Sequence, residues 1–118
     1  MPAEDLAERT FAFGVRVVRM VESLPKSETA RILGRQLLRA ATSVGANYRA
    51  ARRGRSRADF FSKLGIVEEE CDESIYWIDM LTATSVVPNK RVELLLKEAH
   101  ELLAIIVTSI KTARKNKP

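Results

Sequence analysis

This sequence predicts an all-α protein, an antiparallel up-and-down four-helix bundle, and three observations carry that expectation. The chain of 118 residues has only five Gly and four Pro, with Ala, Leu, Val, Arg and Glu abundant, a helix-forming composition. Apolar residues recur with the period of an α-helix in four stretches. The breaks between the stretches are short, and short connections set each helix beside and antiparallel to its predecessor. One domain over 1–118 is expected, with helices at about 4–23, 28–52, 57–82 and 90–113.

In the first helix Ala7, Phe11, Gly14, Val15, Val18 and Val21 form the main stripe. Leu6, Phe13, Val17 and Leu24 widen it beyond the usual apolar face, so this helix is either deeply packed or touches another chain. Pro25 cannot continue the hydrogen-bond ladder, and Ser27 can cap the next helix.

The second helix has a core stripe of Leu33, Leu37, Ala40, Ala41, Val44, Tyr48 and Ala51. Arg31, Arg35, Arg39, Arg49 and Arg53 occupy the opposite sector. From Arg31 to Arg57 there are eight arginines (Arg31, Arg35, Arg39, Arg49, Arg52, Arg53, Arg55 and Arg57) and no Asp or Glu. A charged helix face is ordinarily just solvated, but ordinary faces mix signs. Guanidinium forks without compensating acid match phosphate or carboxylate geometry, so these eight are the candidate nucleic-acid or partner-binding residues.

The third helix answers with acid. Ser56 followed by Asp59 reads as a capping-box-like start, and Gly54 suits a left-handed, helix-ending position. Phe60, Leu64, Val67, Cys71, Ser74, Ile75 and Ile78 form the buried face, with Glu68, Glu69, Glu70, Asp72, Glu73 and Asp79 around it. Ile66, Tyr76, Trp77 and Met80 lie off that face among the acids. The fourth helix buries Val92, Leu95, Leu96, Ala99, Leu103, Ile106 and Ile110, and Leu94 and Ile105 look outward. These six outward residues are the candidate oligomer interface, because they exceed the scattered apolar residues of a monomer surface. Val86 and Val87 are expected to tuck under the bundle end.

Catalysis is not expected. A di-iron bundle needs Glu-x-x-His pairs, and the only histidine, His100, follows Lys97 by three residues. Neighbouring acids in Glu68-Glu69-Glu70 point about 100° apart and cannot converge on one ion. Glu98 and Glu101 read as solvated neighbours of His100, and half-buried Glu68 as a polar clamp to Gln36, Asn47 or the arginines of the second helix. Cys71 on a buried face reads as an inert core residue. No cofactor and no metal are expected. A single cysteine excludes an internal disulfide framework and fits a reducing cytoplasm; the amino terminus does not read as a signal peptide, and no apolar run approaches the ~20 residues that span a membrane. The net charge of +5 permits nucleic acid or an acidic protein as partner without demanding either.

The run Gln36-Leu37-Leu38-Arg39-Ala40-Ala41-Thr42-Ser43-Val44-Gly45-Ala46-Asn47-Tyr48, then Arg55-Ser56-Arg57-Ala58-Asp59-Phe60, resembles the signature of the bacterial four helix bundle protein family. So do Leu24-Pro25-Lys26-Ser27-Glu28 and Lys63-Leu64-Gly65-Ile66-Val67-Glu68-Glu69-Glu70-Cys71-Asp72-Glu73-Ser74. Founding members of that family are encoded by intervening sequences in large-subunit ribosomal RNA genes. The resemblance implies a homo-oligomer, a ring-like homopentamer above all. A relative is the basic, nucleic-acid-binding accessory protein of a retroelement reverse transcriptase. Many members follow the matching Asn with Ile-Ala-Glu-Gly; here Asn47 precedes Tyr48-Arg49-Ala50-Ala51, which makes the turn more basic. The function expected is a non-enzymatic, cytoplasmic scaffold that binds structured RNA or DNA, or a nucleic-acid enzyme such as a reverse transcriptase. The alternative is a purely protein–protein adaptor whose arginines serve subunit or partner contacts.

Overall fold

A computed structural model describes residues 3–115 as four helices and no strand: α1 (Ala3–Glu22), α2 (Glu28–Arg52), α3 (Arg57–Ala83) and α4 (Asn89–Lys115). Each helix packs on its chain neighbours, and α1 closes the ring against α4 along the sparsest of the four seams. The result is an up-and-down bundle of 52 × 22 × 20 Å. One end carries the start of α1, the α2–α3 turn and the end of α4.

Local chemistry sets the helix limits. Ser27 and Ser56 cap α2 and α3, their hydroxyls accepting from Ala30 N at 3.1 Å and Asp59 N at 3.0 Å. The expected capping box is altered: the Asp59 carboxylate accepts from Arg55 N at 3.3 Å, one residue before the cap, where a capping box would use the N–H of the cap residue itself. Gly54 is not left-handed; among the described residues only Ser85 has positive φ (62°). What Gly54 supplies is space, since a Cβ there would meet Ala51 O at 3.0 Å and Phe60 N at 3.2 Å. Ser85 takes the position after the α3 cap, where glycine is usual. Ser85 N donates to Thr82 O and Val86 N to Leu81 O, both at 3.0 Å, a Schellman closure that seats buried Val87 and half-buried Val86 under the bundle end.

The core runs through all four helices, from Leu6, Phe13 and Val17 to Leu102 and Ile106. Small residues (Ala30, Gly34, Ala40, Ala41 and Ala51) make up much of the α2 face, so neighbouring helices approach it closely. In α1 the buried line is Leu6–Thr10–Phe13–Val17–Met20, and the expected main stripe is its flank: Ala7, Val15 and Val18 are half-buried and Phe11 is 72% exposed. The apolar arc of α1 is wider than one bundle can cover, and packing selected its other edge. Thr10 is accommodated because its hydroxyl donates to Ala7 O at 3.2 Å, which satisfies the buried group. In α4, Leu102 is buried where Leu103 was expected, and Leu96 and Leu103 are half-buried.

Candidate nucleic-acid interface

Two backbone hydrogen bonds, Arg53 N to Ala50 O at 3.1 Å and Gly54 N to Ala51 O at 3.0 Å, end α2 and turn the chain towards the Ser56 cap. This turn concentrates arginine at one end of the bundle. Arg49, Arg52, Arg53 and Arg55 are all exposed there, and none makes an ion pair among the described residues. Two open depressions flank the end of α2. Tyr48, Arg49, Arg52 and Arg53 line one together with Phe11 and Gly45. Arg49, Arg53, Arg55 and Lys63 line the other with Asp59. The Asp59 carboxylate is answered by Lys63 Nζ at 2.6 Å, and that hydrogen bond, with a second from Arg55 N, holds the carboxyl below the usual range.

The eight candidate arginines do not form one stripe. Arg39 sits between the ends and is taken by α3: it pairs with Glu70 at 3.4 Å and with Glu73 more closely, and Trp77 Nε1 donates to the same Glu73 at 3.0 Å. The α2–α3 clamp expected at Glu68 is therefore made by Glu70 and Glu73. Glu68 is half-buried without a hydrogen bond to Gln36 or Asn47 among the described residues, and Asn47 donates instead to Ser43 O at 2.9 Å. Arg57 donates to Ala113 O at 2.6 Å and stacks over Phe61. Arg31 and Arg35 line a separate cleft at the far end with Val21, Leu24 and Lys26. Fourteen helical residues separate Arg35 from Arg49, about 21 Å.

Sequence reading missed two participants. Arg114 and Lys115, at the end of α4, emerge at this same basic end, and Arg114 approaches the Phe61 ring that Arg57 covers. The basic tail was visible in sequence, but nothing local ties it to a turn nearly sixty residues earlier.

The outward apolar residues also separate. Contacts of Glu70 and Glu73 with α2 put Ile66, Trp77 and Met80, at helical spacing from them, on the α2 side of α3. Trp77 and Met80 are half-buried, and Ile66 is 38% exposed. Tyr76 stays 52% exposed and meets Trp77 edge-on at 5.0 Å. Leu94 and Ile105 belong to the α1 side of α4, because Glu98 and Glu101 between them bind Arg9. Its Nε and Nη2 reach the two oxygens of Glu98 at 3.0 and 2.6 Å, and Nη2 reaches Glu101 at 3.1 Å. Those two acids are thus the polar latch of the α1–α4 seam rather than solvated neighbours of His100. Ile105 is half-buried beside this latch and Leu94 is 70% exposed.

No group of three or more His, Cys, Asp or Glu side chains is placed to hold a metal among the described residues. No helix among them is long and apolar enough to cross a membrane.

The fold has a close counterpart. The crystal structure of a Bacteroides thetaiotaomicron protein with unknown function, from the S23 ribosomal protein family, superposes with a TM-score of 0.88 at 31% identity, covering 94% of this chain and 99% of that one. Among curated proteins none matches. The profile of the family described as 23S rRNA-intervening sequence protein matches residues 4–108, and it is to this family that the chain belongs.

Proposed function

We propose that this protein is a non-enzymatic, oligomeric scaffold whose basic end binds structured nucleic acid through phosphate. The observation that carries the reading is the cluster Arg49, Arg52, Arg53 and Arg55: four exposed guanidiniums at one end, none of them ion-paired among the described residues. Charges of one sign held together repel, and phosphate oxygens would relieve that repulsion while matching the guanidinium fork. Tyr48, the one aromatic within the arginine run, is buried, so base stacking has no platform there and recognition is sequence-tolerant. Several copies in one assembly would raise the weak contact of each by avidity.

Affinity for duplex and hairpin RNA, measured between about 50 and 200 mM salt, tests the reading. Phosphate contacts give a steep linear fall of log affinity with log salt, and Arg52→Ala/Arg53→Ala should flatten the slope by up to about 1.8, or 0.9 per contact. No binding by the wild type at 50 mM salt would overturn it. A second reading, a protein adaptor whose arginines meet a partner's carboxylates, is favoured by Arg39, which already spends its guanidinium on Glu70 and Glu73. A reverse transcriptase or another nucleic-acid enzyme is a candidate partner under either reading.

A further inference from the structure

The end where α2 and α3 meet also receives the last turn of α4, and that turn is held in place. Arg57, the first residue of α3, donates from Nη2 to Ala113 O at 2.6 Å. The same guanidinium lies 5.4 Å from the centroid of the Phe61 ring, and Arg114 comes to 6.0 Å of that ring from α4. Two cations on one ring repel each other, and neither forms an ion pair among the described residues. The ring face and the negative end of the α4 dipole make the arrangement tolerable. Its consequence is positional: exposed Arg114 and Lys115 join the end that already carries Arg49, Arg52, Arg53 and Arg55.

We infer that the last turn of α4 is a second limb of the phosphate-binding surface, with Arg114 and Lys115 as ligands for a nucleic-acid backbone and Arg57 as the residue that positions them. This rests on the nucleic-acid reading above and extends it to a segment remote in sequence. Arg57 takes the positioning role because its Nη2 donates to Ala113 O and its guanidinium lies over the Phe61 face, which ties α3 to the last turn of α4. A merely structural role for the α4 charges, offsetting the helix dipole, would alter stability and leave the salt dependence of binding unchanged.

The test uses the full chain and a duplex DNA of arbitrary sequence, titrated from about 50 to 200 mM salt. Arg114→Ala/Lys115→Ala should flatten the slope by about 1.8, two phosphate contacts, so that over this fourfold range the wild type loses about twelvefold more affinity than the variant. Arg114→Lys should keep the wild-type slope, since it keeps the charge. Arg57→Ala should weaken binding in the wild-type background and add nothing to Arg114→Ala/Lys115→Ala, because its effect passes through the same turn. Circular dichroism confirms that each variant is folded. If the wild type binds with a steep slope that Arg114→Ala/Lys115→Ala leaves intact, the α4 limb is wrong and the arginine end stands. Additive loss from Arg57→Ala would make Arg57 a direct ligand and overturn its positioning role. A wild type that binds neither this duplex nor the RNA probes at low salt overturns both readings together.

Discussion

Cys71 lies at the centre of the buried face of α3, fully enclosed, with its Sγ 3.4 Å from Ala99 O on α4. Loss of water around a thiolate, and then the nearby negative charges of Asp72 and Glu98, push the thiol up to about 12, against roughly 8.5 in an unfolded chain. The folded state therefore holds this proton more tightly. The stability this contributes is fully present below about pH 8.5 and is lost as pH rises from there towards 12. Native protein at about pH 8 should be inert to an aromatic disulfide reagent and should release one equivalent of thiolate when denatured. Between about pH 9 and 11 the thermal midpoint of the wild type should fall more steeply than that of Cys71→Ala; parallel curves would show that the thiol is not the cause.

Among the helices, two glycines of similar appearance in sequence have opposite roles. Gly45 in α2 faces α1 so closely that a Cβ would stand 3.2 Å from Thr10 O, a backbone atom that cannot swing aside. Gly65 in α3 has nothing within 4 Å of the Cβ it lacks. Alanine is favoured over glycine inside a helix by about 1 kcal/mol. Gly65→Ala should therefore stabilise by roughly 0.5–1 kcal/mol, while Gly45→Ala should destabilise by about 1–3 kcal/mol as α1 is forced outward; urea unfolding separates the two signs. The number of helices and their limits were legible because period, Pro25, Ser27 and Ser56 all agree. The face of α2 was legible because its apolar arc is no wider than one helix can bury. The face of α1 was not, since Phe11 and Phe13 both lie within its wide arc and only packing against α2 and α4 decides between them. Nor was the backbone geometry that closes α3, since Ser85 stands at a left-handed position that sequence rules reserve for glycine or asparagine.

The basic turn was legible as an acid-free run, whereas the set of residues it shares the bundle end with was not. Register across helices removed Arg39 to Glu70 and Glu73 and added the end of α4, and neither change leaves a local trace. The accessible area is 7385 Å² for 13.2 kDa, against about 6400 Å² for a typical folded monomer of this mass. The elongated form accounts for part of that excess, and the long flanks it exposes are partly apolar. Phe11, with Val15 and Val18, borders a groove against Gly45 and Ala46 on the α1–α2 flank; Leu94 stands on α4 towards α1, and Tyr76 on α3. A two-fold dimer buries one self-complementary patch, whereas a ring buries two different ones on every subunit, and separated patches on different helices suit the ring. Light scattering on gel-filtered protein should accordingly give a particle well above 13.2 kDa, about five times that mass if the pentamer implied by the sequence resemblance holds. Phe11→Asp and Tyr76→Asp should each shift the distribution to smaller species at unchanged helicity, by the 2 kcal/mol or so of an interface hot spot. Trp77→Ala is the poorer probe, because Trp77 also supports the Glu73–Arg39 clamp inside one subunit. A single 13 kDa species would end the oligomer reading, and an assembly untouched by both Asp variants would place the interface elsewhere.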